Sequence, residues 1–334
     1  MRSLVTGASG FIGRRLAAEL VRRGDDVSCL VRPGSRTAPL RDLPVTFVPG
    51  DLGDPDSLVP AVSGRDRVFH AAGLIQASGE AAFETANAAG TRHLVEACLR
   101  ADPVPGRFVL VSSVAAAGPS GPDRPRTEAD PPLPVSPYGR SKLAAEEAVR
   151  AASVRLPAAI VRPPNVLGPG SKELESAIRL MRRRLAPAFG DGRPRTSLVD
   201  VDDLVEALIL ASEHPAAAGR TYFVTDGGAY AWPEIVEALA AELGTGRLRV
   251  RVPFAAQLAA AGLAEAVSRA TGRPPRLTRD IVRAGRDHFW LYDGSVIVRE
   301  LGFRPRRTMR DSVRRAVADS AAAAGRRGAR RTGP

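Results

Sequence analysis

Short apolar runs alternate along the first half of the chain with segments whose apolar residues recur every three or four positions. The first pattern is typical of buried parallel strands and the second of amphipathic helices. Such alternation predicts parallel strands joined by right-handed crossovers, with helices on both faces of one sheet, which is a doubly wound α/β fold. Strands are predicted at residues 3–6, 27–31, 45–48, 67–71, 108–112 and 158–162, with helices beginning near Phe11, Asp56, Glu80 and Tyr138.

The pattern changes after Pro163 to longer helices separated by short strands. Residues 1–170 are therefore assigned to the sheet domain, and residues 171–319 mainly to a smaller mixed α/β lobe, some elements of which are able to return to the main sheet. Residues 320–334 are rich in Ala, Arg and Gly, a composition that predicts a disordered basic tail. In the lobe, helices are predicted over 172–184, 200–212, 232–243 and 254–271, and strands over 221–224 and 248–252.

Composition and charge narrow the classes of partner. No run approaches the ~20 apolar residues that span a bilayer, and the N-terminus lacks the pattern of a secretory signal, so we expect a cytoplasmic protein without a membrane partner. The net charge of +12 would suit nucleic acid, but the arginines are spread over many segments, and we predict no nucleic-acid partner. Cys29 and Cys98 lack a CxxC partner or a neighbouring histidine, which predicts two small core residues and no metal site.

Three glycines follow the first predicted strand and open the first predicted helix. Gly7 permits a tight turn, Gly10 lets the backbone approach a pyrophosphate, and Gly13 lets the helix lie close to the strand. The helix N-terminus supplies free amides and a positive dipole end for the phosphates. The segment from Gly7 to Gly13 therefore predicts a dinucleotide site.

The end of the second strand distinguishes between the two nicotinamide cofactors. An acidic residue at this place, about 20 residues beyond the glycines, holds the ribose hydroxyls of NAD. This chain has Arg32 instead, followed by Ser35 and Arg36, and these side chains suit charge-assisted hydrogen bonds to a 2′-phosphate. We therefore predict NADP in preference to NAD, with a solvated basic loop as the alternative.

Two further loops are candidates for the adenine and nicotinamide ends of the cofactor. Asp51 and Leu52 follow the third strand, where the carboxylate either accepts from the adenine amino group or caps a helix. The small residues Ala71–Gly73 follow the fourth strand and let the backbone approach the cofactor. His70 is interpreted as a packing residue.

A tyrosine and a lysine four residues apart predict the catalytic centre. Tyr138 and Lys142 lie at i and i+4, on one face of the helix that begins there. The lysine ammonium is expected to lower the pKa of the phenol, which is about 10 in water, so that Tyr138 exchanges a proton with a carbonyl or alcohol oxygen. Ser113, at the carboxyl end of a central strand, is expected to hydrogen-bond the same oxygen, with Ser112 turned into the strand packing.

These motifs together resemble those of the extended short-chain dehydrogenase/reductases, a superfamily of nucleotide-sugar epimerases and dehydratases, 3β-hydroxysteroid dehydrogenases and dihydroflavonol reductases. The resemblance covers roughly residues 1–225 and implies a Rossmann-type sheet, a Ser/Tyr/Lys catalytic set and a homodimer. The matching segments are residues 6–13, 51–52, 70–73, Asn87 with 90–91, 112–113, 138–142, 162–170 and 201–203.

The motifs and the loops beside them together give a list of expected contacts. Asn87 is expected to be a structural hydrogen-bonding residue at the edge of the site. Substrate contacts are expected at Leu74, Ser113, Val114 and Asn165. Cofactor contacts are expected at Gly7, Ser9, Gly10, Phe11, Ile12, Gly13, Arg32, Ser35, Arg36, Asp51, Leu52, Ala71, Ala72, Gly73, Val111, Tyr138, Lys142, Pro163, Asn165 and Val166.

Three functions fit these residues. The first is NADPH-linked reduction of a ketone or aldehyde, or the reverse alcohol oxidation, on a small molecule. The pocket for it would be lined by Phe254–Leu263 and His288–Tyr292, although such apolar segments are also typical of plain core. The second is a nucleotide-sugar epimerase or dehydratase that retains NAD(P), with Gly190–Arg195 as a candidate diphosphate loop. The third is a non-catalytic NADP-binding regulatory protein, against which the intact catalytic set argues.

Overall fold

Strands and helices alternate along the first half of the chain, as the sequence predicts. The computed structural model describes residues 1–77, 79–188, 194–244, 248–271, 275, 277–280, 282–283 and 288–331. Its strands are β1 (Arg2–Thr6), β2 (Asp26–Val31), β3 (Thr46–Pro49), β4 (Arg67–His70), β5 (Arg107–Val111), β6 (Ala158–Arg162), β7 (Asn165–Leu167), β8 (Leu185–Ala188), β9 (Arg195–Thr196), β10 (Leu198–Asp200), β11 (Arg220–Phe223), β12 (Tyr230–Ala231) and β13 (Leu248–Arg251). Its helices are α1 (Phe11–Arg22), α2 (Leu58–Val62), α3 (Glu80–Phe83), α4 (Gly90–Arg100), α5 (Val114–Ala117), α6 (Pro137–Ala152), α7 (Lys172–Arg182), α8 (Val201–Glu213), α9 (Trp232–Leu243), α10 (Phe254–Thr271), α11 (Ser295–Leu301) and α12 (Met309–Arg331).

One parallel sheet of seven strands forms the centre of the molecule. The strand order is β11, β6, β5, β4, β1, β2, β3. Every residue of β4 and β6 is buried, and polar residues occur only at the strand ends, as Arg67, His70 and Arg162. The chain reverses its direction of winding between the paired strands β1 and β4, so the loops that follow them lead to opposite faces of the sheet and leave a crevice at the carboxyl ends.

Helices cover both faces of this sheet, as predicted for a doubly wound fold. On one face, apolar residues of α1, α8 and α11 share a core with β1, β2 and β11. On the other face, α2, α4 and α6 share a core with β4, β5 and β6. Leu16, Ala17 and Leu20 of α1 are fully buried at helical spacing, which accounts for the amphipathic pattern after the glycine segment.

The smaller lobe is built on α7, α9 and α12, whose apolar faces form a separate core with Leu167 and Leu198. Two-stranded pairs, β7 with β10 and β9 with β12, lie at its junction with the main sheet. β11 follows the first part of the lobe in sequence, yet it pairs with β6 as the outer strand of the main sheet. The strand expected at Tyr222 therefore does return to that sheet.

Two segments differ from their expected form. The helix expected near Asp56 begins at Leu58, because a single 3-10 turn over Pro55–Ser57 precedes it. Residues 320–331, for which composition predicts a disordered tail, continue helix α12, consistent with the high helix propensity of Ala and Arg. Residues 332–334 and most of the candidate diphosphate loop Gly190–Arg195 lie outside the described residues.

Both cysteines and the longest helices agree with the expectations from composition. Cys29 and Cys98 are fully buried, and burial raises their pKa values to about 11 and about 12, as expected for small core residues. Across the described ranges, every helix is too short or too polar to cross a bilayer.

Candidate active site

The glycine segment forms a close-fitting turn between β1 and α1. Gly7 has φ +69°, and a Cβ atom there would lie 2.6 Å from the backbone nitrogen of Ala72. A Cβ atom at Gly13 would lie 2.2 Å from the carbonyl oxygen of Gly7. The turn is therefore in contact with the loop after β4 and with the first turn of α1, and side chains at these positions would separate them.

The first turn of α1 fits the phosphates of a dinucleotide. Gly10 is its N-cap, has no side chain to occupy the helix end, and is exposed together with Ser9. The leading amides of a helix, here including those of Phe11 and Ile12, have no intrahelical acceptor and attract anions. The expected phosphate site therefore fits the residues present.

Arg14 is a basic residue near this turn that the sequence analysis did not single out. A Cβ atom at Gly170 would lie 3.1 Å from Nη2 of Arg14 and 3.6 Å from the ring of Phe11. The guanidinium thus lies beside the first turn of α1. A cation in the first turn of a helix opposes the helix dipole, and this unfavourable placement is the sequence feature that could have identified Arg14 as a site residue.

The end of β2 presents two arginines to solvent. The Arg32 amide donates to Ser35 Oγ at 3.0 Å, and the Ser35 amide donates back to the Arg32 carbonyl at 3.0 Å, closing a tight turn. The side chains of Arg32 and Arg36 are exposed, and neither forms an ion pair with any described residue. The Ser35 hydroxyl accepts a hydrogen bond within the turn and keeps its own O–H donor, and both guanidinium groups are available to an anion.

Asp51 forms a turn and does not cap a helix. Its Oδ1 accepts from the Gly53 amide at 2.9 Å, and its own amide donates to Ser57 Oγ at 3.0 Å. Leu52 lies beside Gly90 and accepts at its carbonyl from His93 Nδ1 at 2.7 Å. Of the two alternatives for Asp51, the helix cap is not formed, so contact with an adenine stays a prediction.

His70 is a packing residue, as predicted. It is buried between Thr6 Oγ1, 2.7 Å from Nδ1, and Thr91 Oγ1, 2.9 Å from Nε2. Burial, and to a smaller extent the charge of Lys142, lowers the pKa of His70 to about 3, so the ring is neutral at physiological pH. Thr6 Oγ1 also accepts from the Ala72 amide at 3.2 Å, which fixes the loop Ala71–Gly73 to β1.

The loop after β4 is also tied to the catalytic helix through Asn87. Asn87 Oδ1 accepts from the Leu74 amide at 2.7 Å, and Nδ2 donates to the Leu74 carbonyl and to Ser141 Oγ, both at 3.0 Å. Asn87 lies in a π-helical turn, Glu84–Ala89, a distortion that is frequent near functional sites. It is therefore a structural hydrogen-bonding residue, as expected.

Tyr138, Lys142 and Ser113 come together at the carboxyl end of β5. Ser136 caps α6 by accepting from the Gly139 amide at 3.1 Å, which starts the helix one residue before Tyr138. Ser113 caps α5 by accepting from the Ala115 amide at 3.1 Å, and it lies beside Tyr138. Lys142 is buried and its Nζ donates to the Val111 carbonyl at 2.7 Å, so the expected contact residue Val111 serves through its backbone.

The pKa values of these groups differ in one respect from the sequence-based expectation. Burial raises the pKa of Tyr138, and the opposing contribution comes from the neighbouring Ser113 and not from Lys142 as expected. Burial lowers the pKa of Lys142 to about 8, while the charge of Glu146 opposes this change. At neutral pH, Tyr138 is therefore protonated and Lys142 is largely charged, an arrangement suited to proton donation.

Ser112 faces away from this centre, as expected, but it has a polar partner that the sequence did not indicate. Its hydroxyl donates to Glu146 Oε1 at 2.5 Å. Glu146 also forms a bidentate pair with Arg162, with Nε to Oε1 at 2.8 Å and Nη2 to Oε2 at 2.6 Å. Glu146 lies four residues beyond Lys142, and this helical spacing is the sequence feature that could have placed it next to the catalytic set.

The turn after β6 places its residues on two sides of the site. The Pro163 carbonyl accepts from the Val114 amide at 3.1 Å, next to Ser113. Asn165 is exposed, and its Nδ2 lies 3.4 Å from Thr196 Oγ1 of the lobe. Val166, in contrast, packs against the main core.

The two lobe segments proposed to line a pocket behave differently. Tyr292 is buried with Phe223 and Val114, and its hydroxyl donates to the Gly118 carbonyl at 2.8 Å, so it belongs to the core beside the catalytic end of β5. Leu263 of α10 is largely exposed. The alternative of plain core thus holds for Tyr292, while Leu263 remains available for contacts.

Comparisons with known proteins agree with this geometry. Residues 3–224 match the NAD-dependent epimerase/dehydratase family. The ceramide reductase of Caulobacter vibrioides is 34% identical over 81% of this chain and 79% of its own length, and the 2-alkyl-3-oxoalkanoate reductase of Stenotrophomonas maltophilia is 31% identical over 96% and 100%. The solved structure of MoeE5 in complex with UDP-glucose and NAD is 26% identical, with a TM-score of 0.78 over 97% of this chain and 100% of that one.

The family match covers the glycine turn, the catalytic set and the returning strand β11. Its members include reductases, dehydrogenases and epimerases that use nicotinamide cofactors. The chain therefore belongs to the NAD-dependent epimerase/dehydratase family, within the extended short-chain dehydrogenase/reductases, and is an NAD(P)-dependent enzyme.

Proposed function

We propose that this enzyme uses NADPH to reduce a ketone or aldehyde, or catalyses the reverse oxidation of an alcohol. The observation that carries the proposal is that Ser113 and a protonated Tyr138 lie together at the carboxyl end of β5, one helical turn from the buried ammonium of Lys142. A carbonyl oxygen that becomes an alkoxide in the transition state needs such donors.

Each member of the set has one role in this reaction. Tyr138 donates its proton to the carbonyl oxygen, and Ser113 hydrogen-bonds the same oxygen and orients it. Lys142 holds the ribose of the cofactor with the donors not used by the Val111 carbonyl, and it favours the phenolate that remains. The bound nicotinamide cofactor supplies the hydride, so that hydride and proton together convert the carbonyl into an alcohol.

The preference for NADPH rests on the end of β2. Arg32 and Arg36 are exposed there and form no ion pair with a described residue, and a carboxylate is missing at the place where NAD enzymes bind the ribose hydroxyls. Two guanidinium groups on one turn suit a 2′-phosphate dianion.

The substrate class that we propose is a ketone attached to a long apolar chain. Leu74 and Ile75, after the fourth strand, and Leu133 and Val135, before Tyr138, are exposed apolar side chains on loops that adjoin the catalytic set. Exposed apolar residues grouped in this way are typical of ligand sites. The names of the two reductases above, a ceramide reductase and a 2-alkyl-3-oxoalkanoate reductase, agree with such a substrate.

The second candidate is a nucleotide-sugar epimerase or dehydratase that retains its cofactor. The similarity to MoeE5, solved with UDP-glucose and NAD, is the observation in its favour. We also propose a homodimer located in the cytoplasm, by analogy with the superfamily, which light scattering of the purified protein would test.

Cofactor titration and one variant separate these functions. The purified protein is first analysed for copurified nucleotide and then titrated with NADPH and NADH. Exchangeable NADPH, followed by its net oxidation with a long-chain 3-oxo ester, supports the reductase, and Tyr138→Phe should then abolish turnover while leaving NADPH binding intact. Retained NAD that is not consumed, together with conversion of a UDP-sugar, would instead establish the second candidate.

A further inference from the structure

The carboxylate of Glu146 lies one helical turn beyond Lys142 on the catalytic face of α6. Tyr138, Lys142 and Glu146 are spaced at i, i+4 and i+8, so they lie along that face. Glu146 is fully buried. A buried charge is costly unless partners replace its hydration, so the partners of this carboxylate indicate what it does.

Four hydrogen bonds saturate this carboxylate. Arg162 donates two parallel bonds, to Oε1 at 2.8 Å and to Oε2 at 2.6 Å, which is the strongest geometry for such a pair. Ser112 donates to Oε1 at 2.5 Å, and Arg150 donates to Oε2 at 2.6 Å. Glu146 therefore connects α6 to the ends of both β5 and β6.

Both connections end next to catalytic backbone. Ser112 directly precedes Ser113, and Arg162 directly precedes Pro163, whose carbonyl accepts from the Val114 amide at 3.1 Å. Through these contacts Glu146 holds the chain on either side of Ser113. A displacement of Glu146 would therefore move Ser113 relative to Tyr138.

The charge of Glu146 also acts on Lys142. Burial lowers the pKa of Lys142 to about 8, and the Glu146 carboxylate is the group that opposes this change. His70, across from Lys142, is neutral because burial lowers its pKa to about 3. The titratable and charged groups around Lys142 and this carboxylate are Tyr138, Glu146 and Arg150 on α6, His70 on β4, Arg162 on β6, and Glu128 near Arg162.

We propose that Glu146 and Arg162 form a positioning pair, which holds the strand end that carries Ser113 against α6 and fixes the Glu146 carboxylate one helical turn from Lys142. The inference rests on the catalytic roles of Tyr138 and Lys142 in the proposed function. Neither Glu146 nor Arg162 touches the reacting atoms. Their effect passes through Lys142 and Ser113.

Two substitutions of Glu146 separate its charge from its shape. Glu146→Gln keeps the shape and removes the charge, so the pH at which reductase activity is lost on the alkaline side, expected near pH 8 in the wild type, should move down by about one pH unit. At pH 8, kcat should then be about fivefold lower. Glu146→Asp keeps the charge on a shorter side chain, so the alkaline limb of the pH–activity profile, where activity is lost as the pH rises, should stay at the wild-type pH even where kcat falls. The reaction is the reduction of ethyl 3-oxodecanoate by NADPH, measured across pH.

A second readout does not need a substrate. Because Lys142 holds the cofactor ribose in the proposed function, the pH at which NADPH binding weakens should shift down in Glu146→Gln and stay in place in Glu146→Asp. Thermal unfolding of each variant identifies loss of fold, which lowers the active fraction without moving either pH profile. Should Glu146→Gln not fold, Arg162→Lys keeps the positive charge and loses the bidentate geometry, and it should lower kcat at unchanged NADPH affinity.

Matched variants distinguish failure of this inference from failure of the proposed function. Arg150→Gln removes a contact to the same carboxylate from a half-exposed side chain, and it should leave the alkaline limb unchanged. Full activity of Tyr138→Phe would overturn the proposed function itself. An inactive Tyr138→Phe combined with a folded Glu146→Gln that keeps the wild-type kcat and both pH profiles would overturn the positioning role alone.

Discussion

Replacing Arg32 by Gln tests the cofactor preference most directly. The substitution removes the guanidinium, while the turn that presents it should persist, because that turn is closed by the backbone of residue 32 and the Ser35 hydroxyl. Since the Arg32 side chain is exposed and forms no ion pair with a described residue, its removal should leave the stability of the fold nearly unchanged. The effect should therefore be confined to ligand binding.

The size of that effect follows from the kind of bond lost. A hydrogen bond to a charged group contributes about 1.5–3 kcal/mol. At ~1.4 kcal/mol for each tenfold change in Kd, Arg32→Gln should weaken NADPH binding by about 10- to 100-fold. NADH lacks the 2′-phosphate, so its Kd should change by less than about threefold, within the range of a screened surface charge.

Fluorescence titration with both nucleotides at one ionic strength measures these constants. Arg41→Gln is the matched control, because Arg41 is also exposed and lies nearby, on the short turn that follows the basic loop. It makes the same change in net charge, so a general electrostatic effect would appear in both variants. Equal losses for NADPH and NADH in Arg32→Gln, or no loss for either, would refute the assignment of Arg32 to the 2′-phosphate.

Three further predictions concern the turn, the buried histidine and the apolar loops. Gly13→Ala should weaken NADPH binding at least about tenfold and destabilise the fold by about 1–3 kcal/mol, because its Cβ would lie 2.2 Å from a backbone oxygen. Gly121→Ala is the control: it has open space around it and should behave as wild type in the same titrations and unfolding measurements. His70 binds a proton below about pH 6.5 in the unfolded chain but only near pH 3 in the folded protein, so the free energy of unfolding should fall by about 2 kcal/mol between pH 7 and 5. Denaturant unfolding of His70→Gln over the same pH range should show a smaller decrease. Leu133→Ser should lower kcat/KM for a long-chain 3-oxo ester about 30-fold more than for a short-chain one, because it removes roughly 2 kcal/mol of apolar contact from a side chain that is 61% exposed. Val154→Ser, at a position 96% exposed beyond the end of α6, should alter neither value, and equal losses on both esters would exclude Leu133 from the chain-binding surface.

The parts of the site that the sequence predicts are those held by local chemistry. Gly7 and Gly13 are recognisable because a tight turn and a close helix contact exclude any side chain, and Tyr138 and Lys142 because helix geometry alone places them on one face. The end of β2 was predictable for the same reason, since a strand end and its next turn are adjacent in sequence. Constraints of this kind act between residues that are close in the sequence, so a sequence pattern is enough to identify them.

The parts that the sequence did not predict depend on contacts between distant segments. The pairing of Glu146 with Arg162 joins a helix to a strand, and no pattern at either residue specifies the other. The pKa of Tyr138 was expected to be lowered by Lys142, but burial raises it, and burial is a property of the packed fold and not of the motif. The tail was expected to be disordered from its composition, yet Ala and Arg are also strong helix formers, and α12 continues through residues 320–331.

The late position of β11 in the sequence has a consequence for how the chain folds during synthesis. Until residues 220–223 have left the ribosome, β6 is an open edge of the sheet, and until α8 has emerged the apolar residues that face it have no cover. The nucleotide domain therefore cannot be completed by the first 170 residues alone, and it must wait for part of the lobe. A fragment ending at residue 170 would expose both a strand edge and a core surface, the two features that make folding intermediates prone to aggregation.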